Sequence, residues 1–165
     1  MATAHRLTDV LIEQTKILKE LQQTLQDEQK AIAALNTQVM EALNSQKEQL
    51  IQRQRLMTET LHGVLSATAV QYGLASSSTL SEVIEKMPLS IRGQVEPLQQ
   101  AARQAGLEVS VLANQNRGML ERFLGVVNDS LGFILRILNT SNTYGVRGTY
   151  LSNAQSGAVM VSKEA

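Results

Sequence analysis

Pro97–Leu138, PLQQAARQAGLEVSVLANQNRGMLERFLGVVNDSLGFILRIL, is the stretch whose periodicity decides the fold. Placed on a helical wheel, Leu98, Ala102, Ala105, Val109, Leu112 and Asn116 fall within roughly 100°, the stripe of a helix packed on one neighbour. The second half of the stretch is different. Met119, Leu120, Phe123, Leu124, Val126, Val127, Leu131, Phe133, Ile134, Leu135, Ile137 and Leu138 spread over roughly 200° about the same centre, so this end needs more than one partner to cover it. Gly118, Gly125 and Gly132 recur every seven residues on the opposite face. Glycines there leave the helix soft, admit a close backbone, or are simply poor helix formers on a wet face. Asn116 stands at a core position of the three-and-four pattern, where a polar residue fixes register at a cost in stability. On this reading Asn116→Leu stabilises the fold and loosens its uniqueness.

Working back towards the amino terminus, Leu7, Leu11, Leu18, Leu21, Leu25, Ile32 and Leu35 follow alternating steps of three and four. Gln14 and Glu28 fill the two intervening positions of what reads as a narrow seam. Asn36 and Thr37 interrupt the pattern, and a side-chain oxygen there caps a second helix by accepting from its first free amides. That helix carries Met40, Leu43, Leu50, Met57, Leu61, Val64 and Leu65 on one side. Lys47, Glu48, Gln49, Arg53 and Arg55 form its polar, solvated face. The first two helices then make an antiparallel hairpin; with no Gly or Pro to enforce the turn, one continuous helix is the other reading. Gly73 and the Ser76-Ser77-Ser78 run break the chain. Thr79 and Glu82 have capping-box spacing ahead of Leu80, Val83, Ile84 and Met87. Pro88 ends that short helix. Pro97 either begins the long helix or kinks it, and the register of Ile91 and Val95 with Leu98 favours the kink. The expected helices are about residues 5–34, 37–72, 79–87 and 97–138. The fold class is all-α: an elongated antiparallel bundle or coiled-coil hairpin of three long helices plus a short connecting one. Residues 1–138 form the helical domain and residues 139–165 a disordered, mobile tail, because that segment is rich in Ser, Thr, Asn and Gly and lacks periodicity. Tyr144, Val146, Tyr150, Leu151, Val159, Met160 and Val161 are anchors that a mere spacer does not need.

Composition narrows the function. The chain of 165 residues has no Cys and no Trp, two Phe and three Tyr, so its core is aliphatic and neither disulfides nor thiolate metal sites are available. Fifteen basic residues balance fifteen acidic ones, which argues against nucleic acid and anionic membranes as partners. Asn128, Asp129 and Arg136 interrupt the most apolar run, so no membrane insertion is expected, and the amino terminus lacks a signal-peptide pattern. A soluble intracellular protein is the reading. His5 and His62 lie on different segments with no ligand spacing around them, and His62 reads as a helix-surface residue. Ser76–Ser78 lack the strand-turn-helix setting of an activated nucleophile, and no phosphate-binding glycine loop follows a strand. The two glycines of Gly145-Val146-Arg147-Gly148 match an RNA-clamping loop in nothing else. The chain is expected to be a binding module, with no catalytic residues, metal or cofactor.

Three stretches carry a family resemblance: Leu43–Leu50 (LNSQKEQL), Asn116–Leu120 (NRGML) and, above all, Thr143–Gly148 (TYGVRG). Together with the order of long helices they resemble the FlgN family of flagellar export chaperones, in which a Tyr-Gly-x-x-Gly segment follows the last helix. Val146-Arg147 stands where an Ala-Asp or Ala-Asn pair is more typical. The resemblance implies a cytoplasmic chaperone of flagellar type III export whose clients are the hook-filament junction proteins FlgK and FlgL, held through their helical carboxy-terminal segments. It also implies that Tyr144, with Gly145 and Gly148, docks on the export gate protein FlhA. The residues supply a mechanism: an amphipathic client helix lies against Met119, Leu120, Phe123, Leu124, Val127, Leu131, Ile134 and Leu138. The opposing reading has the first two helices cover that arc internally. The chaperone is expected to be monomeric, with a weak dimer open. The alternative function is a self-associating coiled-coil structural or adaptor protein.

Overall fold

A computed structural model of the chain describes the backbone of residues 2–140 and the side chains of residues 3–137. Four helices run α1 (Ala2–Ala33), α2 (Thr37–Gln71), α3 (Leu80–Lys86) and α4 (Leu89–Thr140), with no strand among the described residues. The expected tail, and with it the 138/139 domain boundary, falls at the edge of or outside the described residues. The chain divides into two compact units, Met1–Arg122 and Phe123–Ala165.

The turns follow from specific residues. At the end of α1, Leu35 takes a left-handed φ of 52°. The Asn36 amide then reaches Ala31 O at 3.0 Å and the Leu35 amide Ile32 O at 3.1 Å, the paired bonds of a Schellman ending. A leucine performs what is usually a glycine's task, at a steric cost of about 1 kcal/mol. Asn36 does double duty, since its Oδ1 accepts from the Val39 amide at 3.1 Å and caps α2. Gly73, with φ 72°, ends α2 the same way: Leu74 N–H donates to Ala69 O at 2.9 Å and Gly73 N–H to Val70 O at 3.0 Å. The capping box at α3 is complete, Thr79 N–H donating to Glu82 Oε2 and Glu82 N–H to Thr79 Oγ1. The long helix begins eight residues before Pro97: Ile91 and Arg92 amides both donate to Pro88 O, and α4 runs from Leu89 through Pro97. Pro97 and Gly93 are both exposed, so the Gly93 carbonyl that loses its amide partner faces water.

In the first unit the pairings give helix directions. Glu28 meets Lys47 and Glu20 meets Arg53, so α2 retreats along α1 and the two are antiparallel. Glu28 also meets Asn116, while Leu7 shares a core with Val95, so α4 advances with α1. Leu7, Val10, Leu11, Val64, Ala69, Val83, Ile84, Met87 and Val95 form the main core, closed at one end by α3. Leu21, Leu25 and Leu50 form a second cluster, against which Val109 and Leu112 of α4 pack. One expectation is corrected here. The α1 seam is not narrow: Val10, Ile17, Thr24 and Ala31, seven apart, are buried beside it, because α1 faces both α2 and α4. The α4 stripe lies against clusters that contain residues of both α1 and α2.

A buried polar network ties three helices together. Asn116, 2% exposed, donates through Nδ2 to Leu25 O and to Glu28 Oε2, each at 2.8 Å. Glu28 Oε1 meets Lys47 Nζ at 2.5 Å. Lys47 is therefore not on the solvated face of α2; its stem lies inward and its ammonium answers a buried carboxylate. Asn116 Oδ1 meets no donor among the described residues. By contrast, Arg53, which bridges Glu13 at 3.4 Å and Glu20 at 2.8 Å, does so among half-exposed groups that contribute little.

The described part of the second unit is α4 from Phe123 onward. A methyl group placed on Gly118, Gly125 or Gly132 meets nothing within 4 Å, so no backbone approaches these positions among the described residues. They stand in open space. Gly125→Ala and Gly132→Ala should each stabilise this stretch of helix by about 1 kcal/mol. Slower amide hydrogen exchange over residues 123–140 is the measurement; faster exchange in both variants would show that the glycines are structurally required.

Candidate functional site

The client residues expected from the sequence divide between the two units. Met119 and Leu120 lie in the first unit and are half-buried. Phe123, Leu124, Val127, Leu131 and Ile134 lie in the second, and the backbone of Leu138 with them, although its side chain is outside the described residues. The candidate site is described within the second unit alone. There Phe123, Val127, Leu131 and Ile134 recur at intervals of three and four and occupy one line of α4, with Leu124 at its edge.

Exposure separates these residues. Phe123 and Val127 are half-buried, whereas Leu124, Leu131 and Ile134 are exposed. Beside them stand four more exposed apolar residues, Val126, Phe133, Leu135 and Ile137. These belong to the broad arc read from the sequence but widen the face beyond the narrower set expected to touch a client. Ser130 falls inside the arc, yet its hydroxyl donates to Val126 O at 2.8 Å, so its polarity is turned into the helix. Leu131, Phe133, Ile134 and Leu135 are each half or more exposed.

The chemistry of this face is that of apolar burial. Among the described residues no cluster of His, Asp or Glu is arranged to hold a metal, and His5 and His62 are both exposed and far apart in the chain. No described helix is long and apolar enough to cross a membrane. The carboxylate of Asp27 is held below its ordinary pKa by a hydrogen bond from Lys30 at 2.8 Å, then by one from Gln23; it is an exposed pair on α1, remote from any acid-base constellation. Tyr144, Gly145 and Gly148, expected to dock on an export gate, lie outside the described residues. What sequence reasoning missed was not at this face but inside the first unit: Glu28 and Lys47 read as seam filler and wet surface, and only their separation of 19 residues across a hairpin hints that they meet.

The sequence model of a family described as FlgN protein matches residues 1–152. No curated protein and no solved structure matches the chain.

Proposed function

We propose, on the premise that the chain belongs to the FlgN family of flagellar export chaperones, that it holds the hook-filament junction proteins FlgK and FlgL in the cytoplasm through the apolar face of Phe123–Ile137. The observation that supports this reading is the run of seven exposed apolar side chains, Leu124, Val126, Leu131, Phe133, Ile134, Leu135 and Ile137, on the last third of a single helix. An amphipathic client helix laid along that face desolvates the line from Phe123 to Ile134. Completing the burial of half-exposed side chains of this size yields about 1 kcal/mol each, a gross gain comparable with the entropic cost of association. A complex of that strength is reversible, as a chaperone that must surrender its client requires. Tyr144, with Gly145 and Gly148, is assigned to docking on the gate protein FlhA, where an aromatic anchor gives a transient contact.

The test is stoichiometry. The purified chain mixed with FlgK or FlgL is expected to form a one-to-one complex, measured by light scattering on a sizing column, and to remain monomeric alone. A chain that dimerises at micromolar concentration and binds neither protein would instead support a self-associating adaptor.

A further inference from the structure

We propose that a second docking surface lies within the first unit: the furrow between α1 and the start of α4 receives an amphipathic partner helix that carries carboxylates along one edge. This inference does not depend on the client face. Two hollows lie in line along the same faces of the two helices, one of about 260 Å3 beside Ala4, Thr8, Ile91 and Gln94, the other of about 710 Å3 beside Ile12, Thr15, Leu98 and Ala101.

The furrow exists because the side chains facing it are short. Ala4, Thr8, Thr15 and Ala101 cannot span the gap that Leu and Val close elsewhere in the core. The two threonine hydroxyls are spent on their own helix, Thr8 donating to Ala4 O at 3.1 Å and Thr15 to Leu11 O at 2.8 Å, so the floor presents methyl groups. Ile12 lies on this floor 49% exposed, an apolar side chain with room above it. From residue 4 to residue 23 of α1 the furrow is about 28 Å long, the length of a helix of roughly five turns. A partner laid there completes a fourth member beside α1, α2 and α4, the arrangement in which facing apolar stripes are mutually buried.

Charge decides the kind of partner. On the α1 edge stand Lys16 and Lys19, whose stems line the larger hollow. Lys19 makes no ion pair among the described residues, and Lys16 has only a distant one, 4.0 Å from Glu13. Glu20 borders the same hollow, but its carboxylate is turned to Arg53 of α2 at 2.8 Å. Exposed His5 borders the smaller hollow. The α4 edge, with Gln94, Leu98 and Ala101, is uncharged. The furrow is thus apolar along its floor, basic on one edge and neutral on the other. A helix with Leu- or Ala-sized residues at steps of three and four and Glu or Asp on one flank matches it.

The probe is a synthetic helical peptide of about five turns with a leucine stripe and glutamates on one flank, paired with a control bearing lysines at the same positions. Binding to the full chain is read by fluorescence anisotropy. The glutamate peptide is expected to bind at least tenfold more tightly than the control and to weaken with salt. Lys16→Glu with Lys19→Glu should reverse that preference, and Ile12→Asp, at a half-exposed position that folding tolerates, should remove the advantage of the glutamate peptide over the control. Leu131→Asp, which closes the client face to an apolar helix, should leave the preference for the glutamate peptide intact. Equal binding of the two peptides, or a preference lost in Leu131→Asp and kept in Ile12→Asp, would overturn the proposal. So would a concentration-dependent dimer abolished by Ile12→Asp, which would give the furrow to a second copy of the chain.

Discussion

Leu131→Asp is expected to abolish complex formation with FlgK and FlgL while leaving helix content and melting temperature unchanged. Leu131 is 52% exposed, so the folded chain alone keeps an aspartate there in water. A docked client helix would strip that water away without offering a counter-charge, at a cost of about 3 kcal/mol, or two orders of magnitude in affinity. Phe123→Asp is the less clean version of the same experiment, because Phe123 is already half-buried and the charge also loads the fold. Tyr144→Ala supplies the contrast: client binding nearly intact, export and affinity for FlhA reduced. Should Leu131→Asp remain folded and bind client normally while Tyr144→Ala loses it, the roles are exchanged, and the segment after α4 is the client site.

The second large effect is expected in the buried network. Lys47→Met removes the cation from Glu28, whose side chain is only 9% exposed, and leaves the carboxylate with the Asn116 amide alone. Breaking a buried pair in this way costs about 3–5 kcal/mol. Asn116→Leu alone takes away the other donor and is expected to destabilise by about 1–3 kcal/mol, the opposite of what its place in the heptad suggests. The stabilisation expected of an apolar residue at 116 appears only when Glu28→Leu and Lys47→Met accompany it, because the triple variant leaves no buried charge behind. Denaturant melts of the two single variants and the triple variant measure the series. A neutral Lys47→Met would show that solvent already pairs with Glu28.

The contrast between these two regions explains what the sequence could be read for. Helix existence, the Asn36 cap, the Thr79–Glu82 box and the α4 stripe were legible because each depends on neighbours within one or two turns. A turn near Asn36 was one of two readings, beside a continuous helix, and its means at Leu35 was not legible, since a left-handed leucine has no local signature and is held by Ala31 and Ile32 carbonyls. The breadth of the α1 face was underestimated for a related reason: Thr24 and Ala31 are weakly apolar, and only the packing of a third helix shows that they are core. Pro97 drew the start of the last helix too late, because a proline exposed on the water side costs less than one whose orphaned carbonyl is buried. The network was illegible because a charge at a seam position reads as solvated until its partner, on another helix, is known. The broad apolar arc of α4 was legible as a pattern, since it depends on residues within a few turns, and Leu131, Phe133 and Ile134 on it are exposed.

The connection of α1 to α2 by three residues also sets the order in which the chain assembles. Lys47 and Glu28 are 19 residues apart, so the hairpin closes a short loop soon after its helices form, at little entropic cost. Asn116 must find Leu25 and Glu28 across 91 and 88 residues, contacts that exist only after nearly the whole first unit has been made. During synthesis the hairpin is therefore complete while Glu28 still waits for its amide, and the arrival of α4 is a late, non-local event. The stretch of α4 from Phe123 onward follows Asn116 in the chain, so it is made only after the hairpin has begun to fold.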